Sequence, residues 1–237
     1  MIKDRSIWLY GSHARGSVDA LSDRDLLLVS DNPRELGSGL LPFSETANIS
    51  QYSWQEIEGM ARYGSLFLHH IRLEGMCLYE DEAVAGRLGE VLQGLGRYTR
   101  ADKDLRGFRT TLNDIREGID DDARLPFELS VLATLIRHSC VLISYLIGQS
   151  TFGRLDPVRV VASHFSLDST ITTDFPGLYC YRLLADGRAR ECMPLPVGLI
   201  KLWLNRADRV LEILEVQIGE FERNSGNRES NASDGKS

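Results

Sequence analysis

The segment "LYGSHARGSVDALSDRDLLLVS", residues 9–30, decides the fold because it joins two short apolar runs through a polar connection. The first run is SIWLY at residues 6–10, and the second is LLLV at residues 26–29. Brief apolar runs bounded by turn residues are typical of buried strands. The connection HARGSVD is too short for more than one or two helical turns. The segment therefore predicts two short buried strands.

The two ends of this connection carry groups that suit a phosphate and a metal ion. A strand that ends in Gly11 and Ser12 and turns into a helix presents backbone N–H groups and a hydroxyl to an anion. Asp23 and Asp25 stand at the start of the next strand, where they point the same way and Arg24 points opposite. Mg²⁺ prefers oxygen ligands, commonly one or two carboxylates together with substrate phosphates. The pattern therefore predicts a Mg²⁺ site facing a phosphate-binding turn.

Further elements follow up to about residue 98. The alternation in ANISQYS at 47–53 predicts a third, half-exposed strand. A long amphipathic helix is predicted from 54 to 74, with Ser53 as its N-cap and Gly75 after its last residue. MCLY at 76–79 predicts a last short strand.

The character of the chain changes after residue 98. Helical spacing dominates and strands are scarce, so residues 99–222 are expected to form a helical bundle with breaks at glycine and proline clusters, one of them at 174–177. Residues 223–237 are polar and are expected to be disordered. We therefore predict an α+β protein: a small domain at 1–98, a helical bundle at 99–222 and a tail.

Composition narrows the setting and the partners. The net charge of −7 argues against a protein that coats nucleic acid non-specifically, because phosphate binding needs a basic face. No window approaches the roughly 18 uninterrupted apolar residues of a membrane span, and a cytoplasmic location is expected. The four cysteines are widely scattered with no CxxC pair, so they are expected to be reduced and mostly buried.

The turn GSHARG at 11–16, the aspartate pair in SDRD at 22–25 and the apolar strand after them together resemble the signature of the polymerase-beta-like nucleotidyltransferase superfamily. The likeness is to its minimal nucleotidyltransferase and aminoglycoside nucleotidyltransferase branches, and it covers about residues 1–80. The resemblance implies a small mixed sheet with helices, followed by a helical domain. It also implies transfer of a nucleoside monophosphate, AMP from ATP by our expectation, to an acceptor with release of pyrophosphate.

The roles of individual residues follow from the same resemblance. Gly11 and Ser12 are expected to hold the β- and γ-phosphates of the nucleoside triphosphate. Asp23 and Asp25 are expected to hold one or two Mg²⁺ ions, which would stabilise the attacking and leaving oxygens of an in-line displacement. Arg15 is expected to steady the triphosphate.

One part of the family pattern is missing from this sequence. The family carries a third carboxylate on the following strand, and the position that aligns with it is Asn48, whose amide neither accepts a proton nor supplies charge to a metal. Glu45 lies three residues earlier and would face the other side. A base from Glu74 or from residues 80–82 is an alternative. Two functions therefore stay open, an active nucleotidyltransferase and a catalytically impaired relative that regulates or interacts.

The acceptor is not determined by the sequence. It is expected to carry a hydroxyl, to be a protein, an RNA or a small molecule, and to bind between the two halves. The acidic charge favours a cationic small molecule, whereas the family's use in toxin control and defence favours a protein or RNA. Arg137 lies in an apolar helix and is expected either to find a partner or to face the ligand.

Overall fold

The structure, a computed structural model, describes residues 4–32 and 47–233 of the chain. The chain divides into two compact units, Met1–Thr99 and Arg100–Ser237. The first unit contains a small sheet with helices, and the second consists of helices. The predicted α+β fold class is therefore confirmed.

Four strands form the sheet of the first unit. They are β1 Ser6–Tyr10, β2 Arg24–Val29, β3 Ala47–Tyr52 and β4 Met76–Glu80. Their order across the sheet is β3-β2-β1-β4. β1 pairs antiparallel with β2 and with β4, whereas β2 and β3 run parallel, so the sheet is mixed as predicted.

The helices of the first unit are short. They are α1 Gly11–Arg15, α2 Trp54–Arg62, α3 Leu66–Glu74 and α4 Arg87–Gln93, with a turn of 3-10 helix at Glu82–Val84. Ser53 is the N-cap of α2, as predicted: its side chain accepts the N–H of Glu56, whose carboxylate accepts the N–H of Ser53. α1 is a single turn, which confirms that the connection after β1 has room for little more.

The prediction of one helix from 54 to 74 is wrong, because the chain breaks between α2 and α3. Gly64 has a φ of +65°, and a Cβ at this position would lie 2.2 Å from the carbonyl oxygen of Arg97. Ser65 then starts α3, its side chain accepting the N–H of Phe67. The break therefore follows from a close contact with residues far along the chain, which no local pattern reveals.

The helices cover one face of the sheet. Alternate residues of β2, Leu27 and Val29, are fully buried and pack with Tyr10 of β1 against these helices. The remaining buried members of this core are Trp54, Ile57, Leu68, Ile71, Val84, Leu88, Leu92 and Leu95. Ile7 and Leu28, one position out of phase, form a separate small cluster on the opposite face.

The second unit is built around one apolar helix. Its helices are α5 Ala101–Gly118, α6 Leu125–Leu146, α7 Asp156–His164, α8 Thr170–Ala185 and α9 Val197–Ser233. α6 packs against all four of the others. Among the described residues it is the one helix long and apolar enough to cross a membrane, but 72% of its most apolar window is buried inside the unit. That burial is typical of the core helix of a bundle.

Two expectations for the second unit differ from the structure. The break predicted at 174–177 is absent, because α8 continues through Pro176 while its neighbours Phe175 and Leu178 are buried in the core. Burial of these side chains offsets the hydrogen bond that proline removes. α9 runs to Ser233, through most of the segment expected to be disordered, and no proline interrupts it.

The expectation of reduced cysteines is also wrong for one pair. Cys180 and Cys192 form a disulfide with a Cα–Cα distance of 5.8 Å, whereas Cys77 is free and exposed and Cys140 is free and buried. The chain turns back after α8 at Gly187, whose φ is +70°, and this brings the two cysteines together. Sequence spacing alone does not reveal the pairing, because it depends on where α8 ends.

Candidate active site

The turn after β1 lies directly against Asp25. Gly11 is buried and has a φ of +74°, and a Cβ at this position would lie 2.5 Å from Oδ2 of Asp25. Only glycine allows this approach, both because of the positive φ and because a side chain would overlap the carboxylate. The structure therefore brings together two of the predicted site residues that are fourteen positions apart in the sequence.

Asp23 and Asp25 lie on the face of the sheet that the helices cover. Asp25 pairs with Tyr10 across the β1–β2 ladder. Because every second side chain of a strand points to the same face, Asp23 and Asp25 share the core face with Leu27. Both aspartates are half-buried, and Asp23 precedes the first residue of β2. They therefore stand where the sheet extends past its helical cover.

The loop before β2 is ordered by its own side chains. The Oδ1 atom of Asp19 accepts the N–H of Leu21 at 2.9 Å and the hydroxyl of Ser22 at 2.8 Å, and the Oγ atom of Ser22 accepts the N–H of Asp19 at 3.0 Å. Short polar side chains commonly fix turns in this way. The hydrogen bonds of this turn therefore fix the backbone that leads into Asp23.

The charges of the two aspartates act on the neighbouring tyrosine. Burial raises the pKa of Tyr10 to about 12, and the negative charges of Asp25 and Asp23 act in the same direction. The hydroxyl of Tyr10 hydrogen-bonds to Oγ of Ser50 on β3 at 3.0 Å. Tyr10 therefore stays neutral, and the local field at the end of β1 is negative, which favours a cation.

Asn48 occupies the position beside Asp25 on the parallel strand. The register pairs Asp25 with Asn48, and the Asn48 side-chain amide donates to Oδ1 of Asp25 at 3.2 Å. The register therefore places the Asn48 amide beside the Asp25 carboxylate. A carboxylate at this position would add negative charge, whereas the Asn48 amide adds none and its N–H uses one acceptor site of the Asp25 carboxylate.

Arg15 is held by a carboxylate from α3. Its NH1 atom donates to Oε2 of Glu74, and the same oxygen is 2.8 Å from Nε2 of His70. Burial acts to raise the pKa of Glu74, but the hydrogen bonds and charges of His70 and Arg15 outweigh it, so the pKa is lowered. The ring of His70 also meets the ring of Tyr10 edge-on, with 5.3 Å between centroids.

The other carboxylates suggested as a base lie elsewhere. β4 runs antiparallel to β1, so Glu80 pairs with Ser6 at the far end of the sheet from Gly11. Glu80 accepts the hydroxyl of Ser6 at 2.8 Å, and Asp81 forms an ion pair with Arg5 that lowers the pKa of its carboxyl. Glu45 lies outside the described residues. Among the candidates that the structure describes, Glu74 is the one at the Gly11 end of the sheet.

The side-chain oxygens at this site fit a divalent ion whose coordination shell is completed by a substrate. Among residues 4–32 and 47–233, no three His, Cys, Asp or Glu side chains cluster so as to hold a metal on their own. Two carboxylates beside a glycine turn match the way Mg²⁺ binds through few protein ligands, substrate phosphates and water. Asp23 and Asp25 are therefore the residues in a position to hold such an ion.

The sequence did not reveal the link between Arg15 and α3, and of the two roles it left open for Arg137 the structure shows the internal partner. His70 and Glu74 are spaced i, i+4 on a helix, which is a signal for a side-chain pair but not for contact with α1. Arg137 donates from Nε to the carbonyl of Gly153 at 3.2 Å and from NH2 to the carbonyl of Phe152 at 2.5 Å. It therefore supports the chain between α6 and α7, where the sequence had left a ligand-facing role open.

Comparison with known proteins found a family match in the first unit. Residues 1–72 match the model of the nucleotidyltransferase domain family. A solved structure of a nucleotidyltransferase-like protein from Exiguobacterium sibiricum 255-15 is also similar to the chain, at 13% identity and a TM-score of 0.32, covering 92% of this chain and 69% of that one. No curated protein matches the chain.

Proposed function

We infer that the nucleotidyltransferase domain at residues 1–72 is catalytically active, and that it transfers a nucleoside monophosphate, AMP from ATP, to a hydroxyl acceptor in a divalent-metal-dependent reaction. The observation that carries this proposal is the contact of Gly11 with Asp25, since a Cβ at Gly11 would lie 2.5 Å from Oδ2. It places a turn able to approach phosphate beside a carboxylate able to hold Mg²⁺. In the reaction, a bond forms between the acceptor oxygen and the α-phosphorus, and pyrophosphate leaves.

Each site residue has a role that its position supports. Gly11 and Ser12 hold the β- and γ-phosphates through backbone N–H groups and the serine hydroxyl. Arg15, with 26% of its side chain exposed, donates to the triphosphate. Asp23 and Asp25 hold Mg²⁺, which when bound supplies charge stabilisation to the attacking and leaving oxygens.

We propose that residues 1–98 bind the nucleotide and that the helical residues 99–222 bind the acceptor. We also propose a cytoplasmic location. The acceptor is a protein, an RNA or a small molecule. Incubating the protein and cell extract with ATP labelled at the α-phosphate identifies it, because label appears in the acceptor and is absent when Asp23 and Asp25 are replaced by alanine.

A second candidate is a nucleotide-binding relative with impaired catalysis. The observation in its favour is the hydrogen bond from Asn48 to Asp25, where the family resemblance leads us to expect a third carboxylate. An amide cannot deprotonate the acceptor, so this protein would bind nucleotide and metal and act on a partner through that binding.

Pyrophosphate release separates the two candidates. The active enzyme releases pyrophosphate from ATP in the presence of Mg²⁺ and acceptor. The Asp23→Ala, Asp25→Ala variant should do so at least ~100-fold more slowly, because it lacks the metal ligands and the charge of the triphosphate is then not neutralised. Glu58→Ala is the matched control, because Glu58 lies in an exposed ion pair with Arg87 in the same unit. Nucleotide binding without turnover favours the impaired relative, and no binding at all contradicts both.

A further inference from the structure

We propose that Glu74 is a positioning residue for Arg15, and that a chain of contacts from His70 through Glu74 fixes the Arg15 guanidinium over the phosphate turn. The inference rests on the proposed function, because it assumes that a triphosphate lies at Gly11 and Ser12. It assigns to α3 a part in nucleotide binding that neither the aspartate pair nor the glycine turn supplies.

The first observation is where the two partners come from. Arg15 ends the single turn of helix that starts at Gly11, and its NH1 atom donates to Oε2 of Glu74 on α3. The ladder between β1 and β4 pairs Leu9 with Met76, so Glu74, two residues before Met76, emerges at the end of the sheet that Gly11 occupies. Two separate elements therefore bring Arg15 and Glu74 to the same place.

The second observation is how the carboxylate is held. Oε2 of Glu74 accepts from NH1 of Arg15 and is 2.8 Å from Nε2 of His70, while the ring of His70 is fixed against Tyr10. Only 7% of the Glu74 side chain is exposed, compared with 26% for Arg15. A buried carboxylate that is held by two side chains has one preferred orientation, and its ion pair with Arg15 fixes the position of the guanidinium.

The third observation concerns charge. An ionised carboxylate beside a triphosphate site is repulsive unless a cation neutralises it, and here the Arg15 guanidinium forms an ion pair with it. A guanidinium has five N–H donors, so an ion pair through NH1 leaves donors for phosphate oxygens. Simple charge repulsion predicts that removing Glu74 strengthens triphosphate binding, whereas positioning predicts that removal weakens it. The sign of the effect therefore discriminates.

The test is a double-mutant cycle on nucleotide affinity. The dissociation constants of a non-hydrolysable ATP analogue and of AMP, each with Mg²⁺, are measured calorimetrically for the wild type, Arg15→Ala, Glu74→Ala and the double variant. We expect about tenfold weaker analogue binding for Arg15→Ala, about three- to fivefold weaker for Glu74→Ala, and no further loss in the double variant, because a charge-assisted hydrogen bond contributes on this scale. AMP, which lacks the β- and γ-phosphates, should bind equally to all four.

Two further variants guard against a purely structural effect. Glu74→Gln keeps an oxygen that accepts from Arg15, so it should recover part of the affinity lost in Glu74→Ala. Glu58→Ala removes a carboxylate from another arginine ion pair of the unit and should leave both affinities unchanged. Thermal unfolding of each variant confirms that the measured protein is folded.

The outcomes separate this inference from the proposed function. Additive losses, tighter analogue binding by Glu74→Ala, or an equal loss of AMP binding would each overturn the positioning role while leaving the nucleotide site in place. A wild-type protein that binds neither the analogue nor AMP would overturn the proposed function and this inference with it.

Discussion

The two units of the chain use their charged residues in different ways. In the first unit, charged and polar side chains gather at the ends of strands, as Asp25 does beside Gly11. In the second unit, they support helices: Arg206, only 8% exposed, pairs with Asp174 at 3.0 Å, and Arg116 pairs with Asp208 across α5 and α9. Charge at an exposed strand end is available to a ligand, whereas charge between helices is already used for packing.

This contrast explains why the reaction is easier to read than the acceptor. The first unit places oxygen donors, a glycine turn and an arginine in one small region, and that combination has few uses. In the second unit, Arg137 binds backbone carbonyls and Arg206 binds carboxylates of the same unit. Among the described residues of that unit, the proposed acceptor-binding role has no comparable signature.

The largest effect should come from Gly11→Ala, which breaks the contrast by removing the strand-end site. Alanine needs a φ of +74° and places its Cβ 2.5 Å from Oδ2 of Asp25, so the turn or the carboxylate must move. We expect nucleotidyl transfer to fall at least ~100-fold with only about 1–2 kcal/mol lost in stability. Rates of pyrophosphate release and denaturant unfolding check both parts.

Gly59→Ala is the matched control for that experiment. Gly59 lies within α2, and among the described residues no atom beyond its chain neighbours and the α2 backbone lies within 4 Å of a Cβ built there. Alanine at this position should leave activity unchanged and raise helix stability slightly. Similar losses of activity in both variants would mean that the Gly11 turn has no special role.

Leu132→Ala should show the opposite behaviour, with a loss of stability and an intact nucleotide site. Leu132 is fully buried in α6, and removing its side chain should lower the free energy of unfolding by about 2–5 kcal/mol. Chemical denaturation measures this loss, and the affinity for the ATP analogue should be unchanged in the folded variant. Leu202→Ala, at a site 39% exposed on α9, should cost much less. Equal costs would contradict the central position of α6.

Asn48→Asp sharpens the choice between an active and an impaired enzyme. The substitution places a third carboxylate beside Asp25 at the position that the β2–β3 register defines. We expect divalent-ion affinity to rise about tenfold, since carboxylates are the preferred ligands and the amide donor to Asp25 is lost. A rise in pyrophosphate release would show that Asn48 limits catalysis. Unchanged metal affinity would contradict the placement of the ion.

The smallest effect is the pH dependence of stability that His69 contributes in the first unit. Burial, with help from the charge of Arg72, lowers the pKa of His69, while its hydrogen bond to the carbonyl of Gly96 opposes this. The unfolded chain therefore binds the proton more readily, so stability is fully present above about pH 6.5 and falls as the pH is lowered from there toward the folded pKa. The slope contributed by one proton is at most ~1.4 kcal/mol per pH unit.

Replacement of His69 by glutamine removes this titration and tests its origin. The glutamine amide can still donate to the carbonyl of Gly96, which His69 contacts at 3.1 Å. Between pH 7 and pH 5, the free energy of unfolding should change less in the variant than in the wild type. An equal change in the two proteins would assign the pH dependence to other groups.

Much of the first unit could be predicted because its signals are local. Short apolar runs predicted β1, β2 and β4, and alternation predicted β3. Ser53 marked the start of α2, and alternation along the strand predicted that Asp23 and Asp25 point to one side. The break at Gly64 could not be predicted, since it depends on contact with the carbonyl of Arg97. The ion pair of Arg15 with Glu74 likewise depends on the register of β4 against β1.

The second unit shows the same limit. Its helices follow from periodicity, whereas the passage of α8 through Pro176 and the disulfide between Cys180 and Cys192 depend on packing around them. Local rules assign proline to a helix end and scattered cysteines to the reduced state. Burial of Phe175 and the turn at Gly187 override both rules.

The most direct test of the central claim is Mn²⁺ binding in the presence of a non-hydrolysable ATP analogue, followed by electron paramagnetic resonance. We expect the wild type to bind Mn²⁺ together with the analogue, and the Asp23→Asn, Asp25→Asn variant to remain folded and lose at least ~100-fold in Mn²⁺ affinity. Equal Mn²⁺ binding by the two proteins would contradict the assignment of the metal to the aspartate pair.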